Sequence, residues 1–299
     1  MQIVSIGEVL WDVFGEKEFL GGAPLNFSAH LHRLDSSVTL LSAVGADARG
    51  NLTLKTMRNL GLTTEMVHTV AERPTGTAII VTDSAGNASF TIDRPAAFDC
   101  LRMDDALFER LDSLQPGWIY FGTLALTEEC TEQILLQLLQ HSPQAKRFYD
   151  MNLRTGHWNL PLVLRLSALA TVLKLNDTEA EHLFTLTFGT REFDLEEFCR
   201  HWSSTYNIET ICVTLGSKGC AVFHAEALQA FAGVSIEVAD TVGAGDAFAA
   251  AFLHGLDAGW PMARTAAFAN ALGALVASRE GATPVWQIDE CLSLMATQV

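Results

Sequence analysis

Short apolar runs alternate along this chain with longer stretches whose apolar residues recur every three or four positions. The runs 2–8, 38–44, 117–122, 147–151, 171–175 and 209–215 predict strands. Helical spacing falls near 24–34, 48–60, 127–141, 177–188, 194–206, 243–258, 261–279 and 287–297. Strand-then-helix order repeated in this way predicts an α/β fold, a mainly parallel sheet covered on both faces. Two segments break the rhythm. Residues 9–20 are a short polar-interrupted stretch, and 76–93 read as a hairpin with strands Thr77–Thr82 and Ala88–Ile92 around a turn at Asp83–Gly86. Extended segments without a crossover helix do not belong in a parallel sheet and predict a small β-lid. With no repeat, low-complexity tract or linker, residues 1–299 read as one domain with lid segments at about 9–20 and 76–93.

Composition narrows the partners. A chain of 299 residues with 49% hydrophobic content can bury a sizeable core. The net charge of −16 argues against nucleic acid or an anionic membrane surface as a partner. An anionic ligand must then be drawn by local features such as helix ends, metal ions and a few cations. The six cysteines (100, 130, 199, 212, 220 and 291) show no Cys-x-x-Cys and fall mostly in apolar runs, which predicts reduced thiols and a cytoplasmic setting. Gln2–Ile6 reads as a strand rather than a leader, and no apolar stretch has the length of a bilayer span. The nine histidines are scattered and form no zinc-type cluster.

The chemistry concentrates in Asp240-Thr-Val-Gly-Ala-Gly-Asp246, which a strand-like run, Val234–Val238, leads into and an Ala- and Phe-rich helix follows. The free N–H groups and positive dipole end of such a helix start form an anion site, and Gly243 and Gly245 let a ligand approach the backbone. Asp246 on this turn suits a general base beside a transferring phosphoryl group, with the N–H groups of Ala244, Gly245 and Asp246 facing the developing charge. A dinucleotide turn fits poorly, because Phe248 occupies the third glycine position and Gly21-Gly-Ala-Pro24 carries a proline. No Gly-Lys-Ser or Gly-Lys-Thr loop occurs.

These residues resemble the C-terminal signature of the ribokinase-like (PfkB) carbohydrate kinases. Gly21-Gly-Ala-Pro-Leu-Asn26 through Ala43-Val-Gly-Ala-Asp47-Ala-Arg-Gly50 is similar to the companion N-terminal signature. Gly7-Glu8 with Asp12, Asp150-Met-Asn-Leu-Arg154, Asn176-Asp-Thr-Glu179 and Thr214-Leu-Gly-Ser-Lys-Gly219 follow in family order, so the likeness spans residues 1 to about 285. Gly-Ala-Pro-x-Asn and Asp-x-Asn-x-Arg are most similar to fructokinases, with 2-keto-3-deoxygluconate kinases next. The resemblance implies a three-layer α/β/α fold with a β-lid and an ATP-dependent kinase of a free sugar, fructose first. The alternatives are a 2-keto-3-deoxygluconate or nucleoside kinase, or a non-catalytic sugar- or nucleotide-binding protein on the same fold. Against the last stand Asp246, Gly243 and Gly245, which a retired enzyme has no need to keep.

The resemblance also distributes roles. It implies sugar contacts for Asp12, Gly21, Gly22 and Asn26, whose carboxylate and amide suit hydroxyls. Pro24 near a helix start fits an ordinary N-terminal turn as well. Asp150, Asn152 and Arg154 fall on one side if their strand continues, facing a polar ligand or forming an ion pair among themselves. Arg94, after the hairpin, is either a substrate contact or a solvated charge. Asn176 and Glu179 have capping-box spacing, and the resemblance adds Mg²⁺ held by Glu179 through water. Thr214, Gly216 and Gly219 make a tight turn that the resemblance sets against the nucleotide, with Asn270 and Gly273 at the adenine edge. It further implies Mg²⁺ arriving with ATP, K⁺ near Ser278–Gly281, and a homodimer through the lid.

Overall fold

The computed structural model describes residues 2–82, 88–102 and 104–296. The chain divides into two compact units, one running through Ile119 and adding Ala125–Ala145, the other comprising Tyr120–Leu124 and everything from Lys146 onward. Strand β8, Trp118–Phe121, contributes residues to both.

The first unit contains β1 Gln2–Ile6, β2 Leu10–Phe14, β3 Lys17–Gly21, α1 Ala23–Arg33, β4 Ser37–Gly45, α2 Ala48–Asn59, β5 Val67–Val70, β6 Gly76–Thr82, β7 Ala88–Asp93, α3 Asp105–Leu114 and α4 Glu129–His141. β1 pairs with β4 and β4 with β5, both in parallel. β1 and β4 are buried over nearly their whole length, as continuous apolar runs must be in a sheet with two covered faces. β2, β3, β6 and β7 form a separate four-stranded sheet in the order β3-β2-β6-β7. The turn expected at Asp83–Gly86 lies outside the described residues. At the start of α2, Asp47 accepts the N–H of Gly50 at 2.7 Å and binds both the N–H (2.7 Å) and the hydroxyl (2.8 Å) of Thr75.

The second unit contains β9 Lys146–Asp150, α5 Leu160–Ser167, β10 Val172–Asn176, α6 Asp177–Phe188, α7 Leu195–Tyr206, β11 Thr210–Thr214, β12 Gly219–His224, β13 Ala227–Ala232, α8 Ala244–Asp257, α9 Met262–Ala277 and α10 Ile288–Ala296. β9, β10 and β11 are parallel; β12 and β13 continue the sheet in antiparallel fashion. Among the described residues the hydrogen-bonded order is β13-β12-β11-β10-β9-β8-β1-β4-β5, a mainly parallel sheet of nine strands. The core of this unit is aromatic: Phe148, Tyr149, Phe184, Phe198, Trp202 and Phe223 are all buried.

The expected strands and helices are present with ends shifted by one or two residues. Besides the ten-residue α3, the elements absent from the sequence reading are short or at an edge. α5 has eight residues and is set by the Asn159 side chain capping the Leu162 N–H at 2.9 Å. β5 has four residues, and β12 and β13 are the antiparallel end of the sheet. One reading is corrected: Val234–Val238 is not a strand. β13 ends at Ala232, and the β-branched residues after it line a cavity. Among the described residues no helix is long and apolar enough to cross a membrane.

Candidate active site

The Asp240–Asp246 stretch opens α8 as expected. Gly243 is the N-cap with φ of 78°, and a Cβ there would stand 2.5 Å from backbone atoms of Ala282, so glycine is required twice over. The first helical bond joins Ala247 N–H to Gly243 C=O at 2.9 Å, and no side chain caps the start. The N–H groups of Gly245 and Asp246 precede that bond at the positive end of the helix dipole. The N–H of Ala244 differs from expectation, since it turns back to Thr241 C=O at 3.3 Å. Asp240 holds the loop from below: its carboxylate accepts the N–H groups of Val242 and Gly281, both at 3.0 Å.

A cavity of about 450 Å³ opens on this helix start. Its walls bring together Thr214, Gly216, Gly219, Asn270 and Gly273, all singled out in the sequence, with Ala244 and Gly245 at one end. Val234, Ile236, Val238 and Phe248 supply apolar surface, and among the described residues no charged side chain lines it. Asn270 is anchored by its amide nitrogen, which donates to Ala232 C=O at 3.0 Å. Gly273 also serves packing, because a Cβ there would stand 3.2 Å from Ala244 O on α8. Thr214 ends β11 and donates to Leu175 C=O at 3.4 Å.

Two buried acids, on β9 and α6, find their partners within the fold. Asp150 is 1% exposed, and its carboxylate takes Lys174 Nζ at 2.8 and 3.1 Å and the Tyr120 hydroxyl at 3.1 Å. Its ion-pair partner is thus Lys174 on β10, not Arg154. β9 ends at Asp150 and Asn152 has φ of 44°, so the alternation expected for 150, 152 and 154 breaks; Arg154 is exposed. Burial works against the Lys174 ammonium, but the Asp150 carboxylate and the charges of Asp246 and Glu179 outweigh it and hold the pKa above its ordinary value. Asn176 and Glu179 form the capping box in full, each side chain accepting the other's N–H at 2.8 Å. Glu179 Oε1 also accepts the Leu153 N–H at 2.6 Å. Burial raises its pKa, and those N–H groups only partly offset the rise.

In the first unit Asp12 lies on β2 beside Gly21, where a Cβ would stand 2.5 Å from Asp12 Oδ2. Glycine at 21 therefore makes room for that carboxylate. Gly22, with φ of 108°, is the N-cap of α1, and Asn26 sits buried one turn in, its N–H bonded to Gly22 C=O at 3.0 Å. Arg94 is corrected: its guanidinium grips the Asp99 carboxylate with two nitrogens, bonds Thr127 and approaches Glu128 at 3.3 Å. These bonds, with the side chain 12% exposed, tie Arg94 into the fold and exclude the solvated charge.

The sequence pattern described as pfkB family carbohydrate kinase matches residues 4–288. The chain belongs to the pfkB family of carbohydrate kinases. A probable fructokinase-2 from Arabidopsis thaliana is 26% identical, over 99% of this chain and 96% of its own length. A fructokinase from Xylella fastidiosa with bound ATP superposes with a TM-score of 0.87 at 22% identity, covering 99% of this chain and 98% of its own. A double-mutant fructokinase from Vibrio cholerae, holding fructose, ADP and a potassium ion, gives 0.84 at 23% identity, covering 98% of each chain. The chain is an ATP-dependent sugar kinase on the ribokinase-like fold.

For a pfkB kinase the sequence reading missed one prominent group. Lys174 is a lone cation inside the apolar run Val172-Leu-Lys-Leu175, and that oddity was its only signal. Tyr120 gave none, since a tyrosine in an apolar strand is unremarkable until its hydroxyl is seen on Asp150.

Proposed function

We propose that this kinase transfers the γ-phosphoryl group of ATP to a hydroxyl of fructose, with α8 as the reaction centre. The observation that carries this reading is the cavity of about 450 Å³ lined by Ala244 and Gly245 in the first turn of α8, the residues just before Asp246. Its size falls in the ~300–1,000 Å³ range of small-molecule pockets. ATP lies along Thr214, Gly216 and Gly219 with its base against Asn270 and Gly273. Asp246 takes the hydroxyl proton, and the N–H groups of Gly245 and Asp246 stabilise charge on the transferring group. Asp12, Gly21, Gly22 and Asn26 hold sugar hydroxyls, while Asn152 and Arg154 border the acceptor side of β9.

Mg²⁺ enters as part of the nucleotide. Mg²⁺ keeps several waters and is commonly held by substrate phosphates with one or two carboxylates. Glu179 spends one lone pair of each oxygen on a backbone N–H, so its remaining capacity suits a metal-bound water better than the ion itself. K⁺ is proposed beside Ser278–Gly281, which Asp240 ties to the α8 loop through Gly281. We read residues 1–299 as one kinase domain, supported by the unbroken family match. Self-association through the lid sheet is supported by Phe14 and Phe19, 40% and 42% exposed on the face that carries Asp12. A cytoplasmic setting is supported by six cysteines, all free.

Fructose is preferred over a sugar acid because Arg94, one of two arginines available to a carboxylate, is committed to Asp99. The test is kcat/KM for fructose, 2-keto-3-deoxygluconate and adenosine with ATP. Fructose best of the three supports the assignment; either of the others best replaces the acceptor while leaving the kinase.

A further inference from the structure

Resting on that reading, we propose that Lys174 is a catalytic residue whose ammonium contacts the phosphoryl group in transfer, with Asp150 and Tyr120 as its positioning residues.

Three observations place it there. A Cβ built on Gly245, in the first turn of α8, would stand 3.7 Å from Lys174 Nζ, and no other heavy atom beyond the adjoining chain lies within 4 Å of that point. The ammonium therefore faces the helix end that the cavity opens on. Two of its protons are directed to Asp150 Oδ1 and Oδ2, at 2.8 and 3.1 Å. An ammonium has three donors, so this grip fixes the nitrogen while leaving one N–H for another acceptor. Finally, Asp246 acts on Lys174 through its charge, which puts the cation and the proposed base in one electrostatic field.

The chemistry follows from burial. Lys174 is 7% exposed and Asp150 1%, and a buried cation without a counter-ion would shed its proton. Asp150 keeps it charged, and Tyr120 donates to Oδ2 of the same carboxylate at 3.1 Å, which fixes the carboxylate in turn. The pair is neutral in sum, but its positive end lies towards Gly245. A fixed, poorly solvated cation there suits the equatorial oxygens of a phosphoryl group in transfer. The three side chains come from β8, β9 and β10, neighbouring strands in the sheet order, so the device is built on the scaffold rather than on loops.

Removing Lys174 alone would strand the Asp150 charge, so the test uses the neutral double variant Lys174→Met/Asp150→Asn in the full chain. Two quantities are measured: the ratio of ATP to ADP affinity by titration calorimetry with Mg²⁺ present, and kcat with fructose. A cation aimed at the γ-phosphoryl predicts that the affinity ratio falls about tenfold, the worth of one charge-assisted hydrogen bond. It predicts that kcat falls ~10²-fold, as for loss of one donor to the transition state. A folded double variant with wild-type ratio and kcat overturns the proposal and leaves the triad a structural bridge. Should the double variant fail to fold, Gly245→Ala carries the test, since its methyl would sit in contact with the ammonium and leave the pair intact. An unchanged ATP-to-ADP ratio in Gly245→Ala is then the overturning result. The affinity ratio needs no sugar, so an error in the acceptor would appear as absent turnover by the wild type with the Lys174 result still readable.

Discussion

Glu179 Oε1 accepts the Leu153 N–H at 2.6 Å, so a carboxylate in the first turn of α6 fastens the chain just after it leaves β9. Its other oxygen closes the capping box on Asn176 at 2.8 Å. Glu179→Ala removes both bonds, and we expect a loss of ~0.5–2 kcal/mol in urea denaturation, the range for a lost helix cap. The pH dependence has a definite sign. Burial raises the folded pKa above the ordinary 4.5, so the folded state binds this proton more tightly than the unfolded one. The stability linked to Glu179 is then full below the ordinary value and is lost as pH rises through the raised one. Wild-type stability relative to Glu179→Gln should decline with pH over that window; a flat difference would show that the carboxyl is not perturbed in the fold.

Neighbouring glycines on one turn should respond in opposite ways. Gly243 has φ of 78° with Ala282 2.5 Å from any Cβ, so Gly243→Ala should lose ~1–3 kcal/mol, the range for an enforced backbone strain, before any effect on turnover is considered. A Cβ on Gly245 would meet only Lys174 Nζ, at an ordinary contact distance of 3.7 Å. Gly245→Val should keep the melting temperature nearly unchanged and lower kcat, because its bulk fills the end of the cavity where transfer is proposed. The pair of melting curves and kcat values separates the roles; a Gly245→Val protein that loses stability but not turnover would make this turn structural.

Asp12 owes its place to Gly21, which leaves the carboxylate its space on β2. Asp12→Ala should raise KM for fructose, with KM for ATP little changed, because a site that bonds hydroxyls loses those bonds selectively. The expected size is ~10-fold or more, from loss of hydrogen bonds to a charged group at ~1.5–3 kcal/mol. Steady-state kinetics with each substrate varied in turn is the check; a rise in KM for ATP alone would move Asp12 away from the sugar.

Much of this was legible in the sequence, for identifiable reasons. Strands such as Gln2–Ile6 and Val172–Asn176 are short, mostly apolar runs, and α8 announces itself by a glycine turn before alanines. The cavity wall was readable in pieces, since Thr214, Gly216, Gly219, Asn270 and Gly273 do converge on one cavity. What stayed hidden depends on which atoms meet across strands. Asp150 has the composition of a substrate contact, and only the register of β9 and β10, which pairs Lys174 with Asp150, shows that it serves a lysine. Arg94 looks like an open cation until Asp99, five residues on, is seen to claim it. Val234–Val238 has strand composition, but it follows the end of β13 and serves as cavity wall.

The central claim is that Asp246, at the open start of α8, takes the proton as phosphoryl transfers. Asp246→Asn keeps the size of the side chain and removes its basicity. The deciding measurement is kcat for fructose phosphorylation by this variant, with ATP affinity and melting temperature recorded alongside. The account predicts a fall of ~10²–10⁴-fold in kcat with binding and fold preserved, the usual contribution of a general base. A folded, ATP-binding Asp246→Asn protein that turns over at close to the wild-type rate would contradict it.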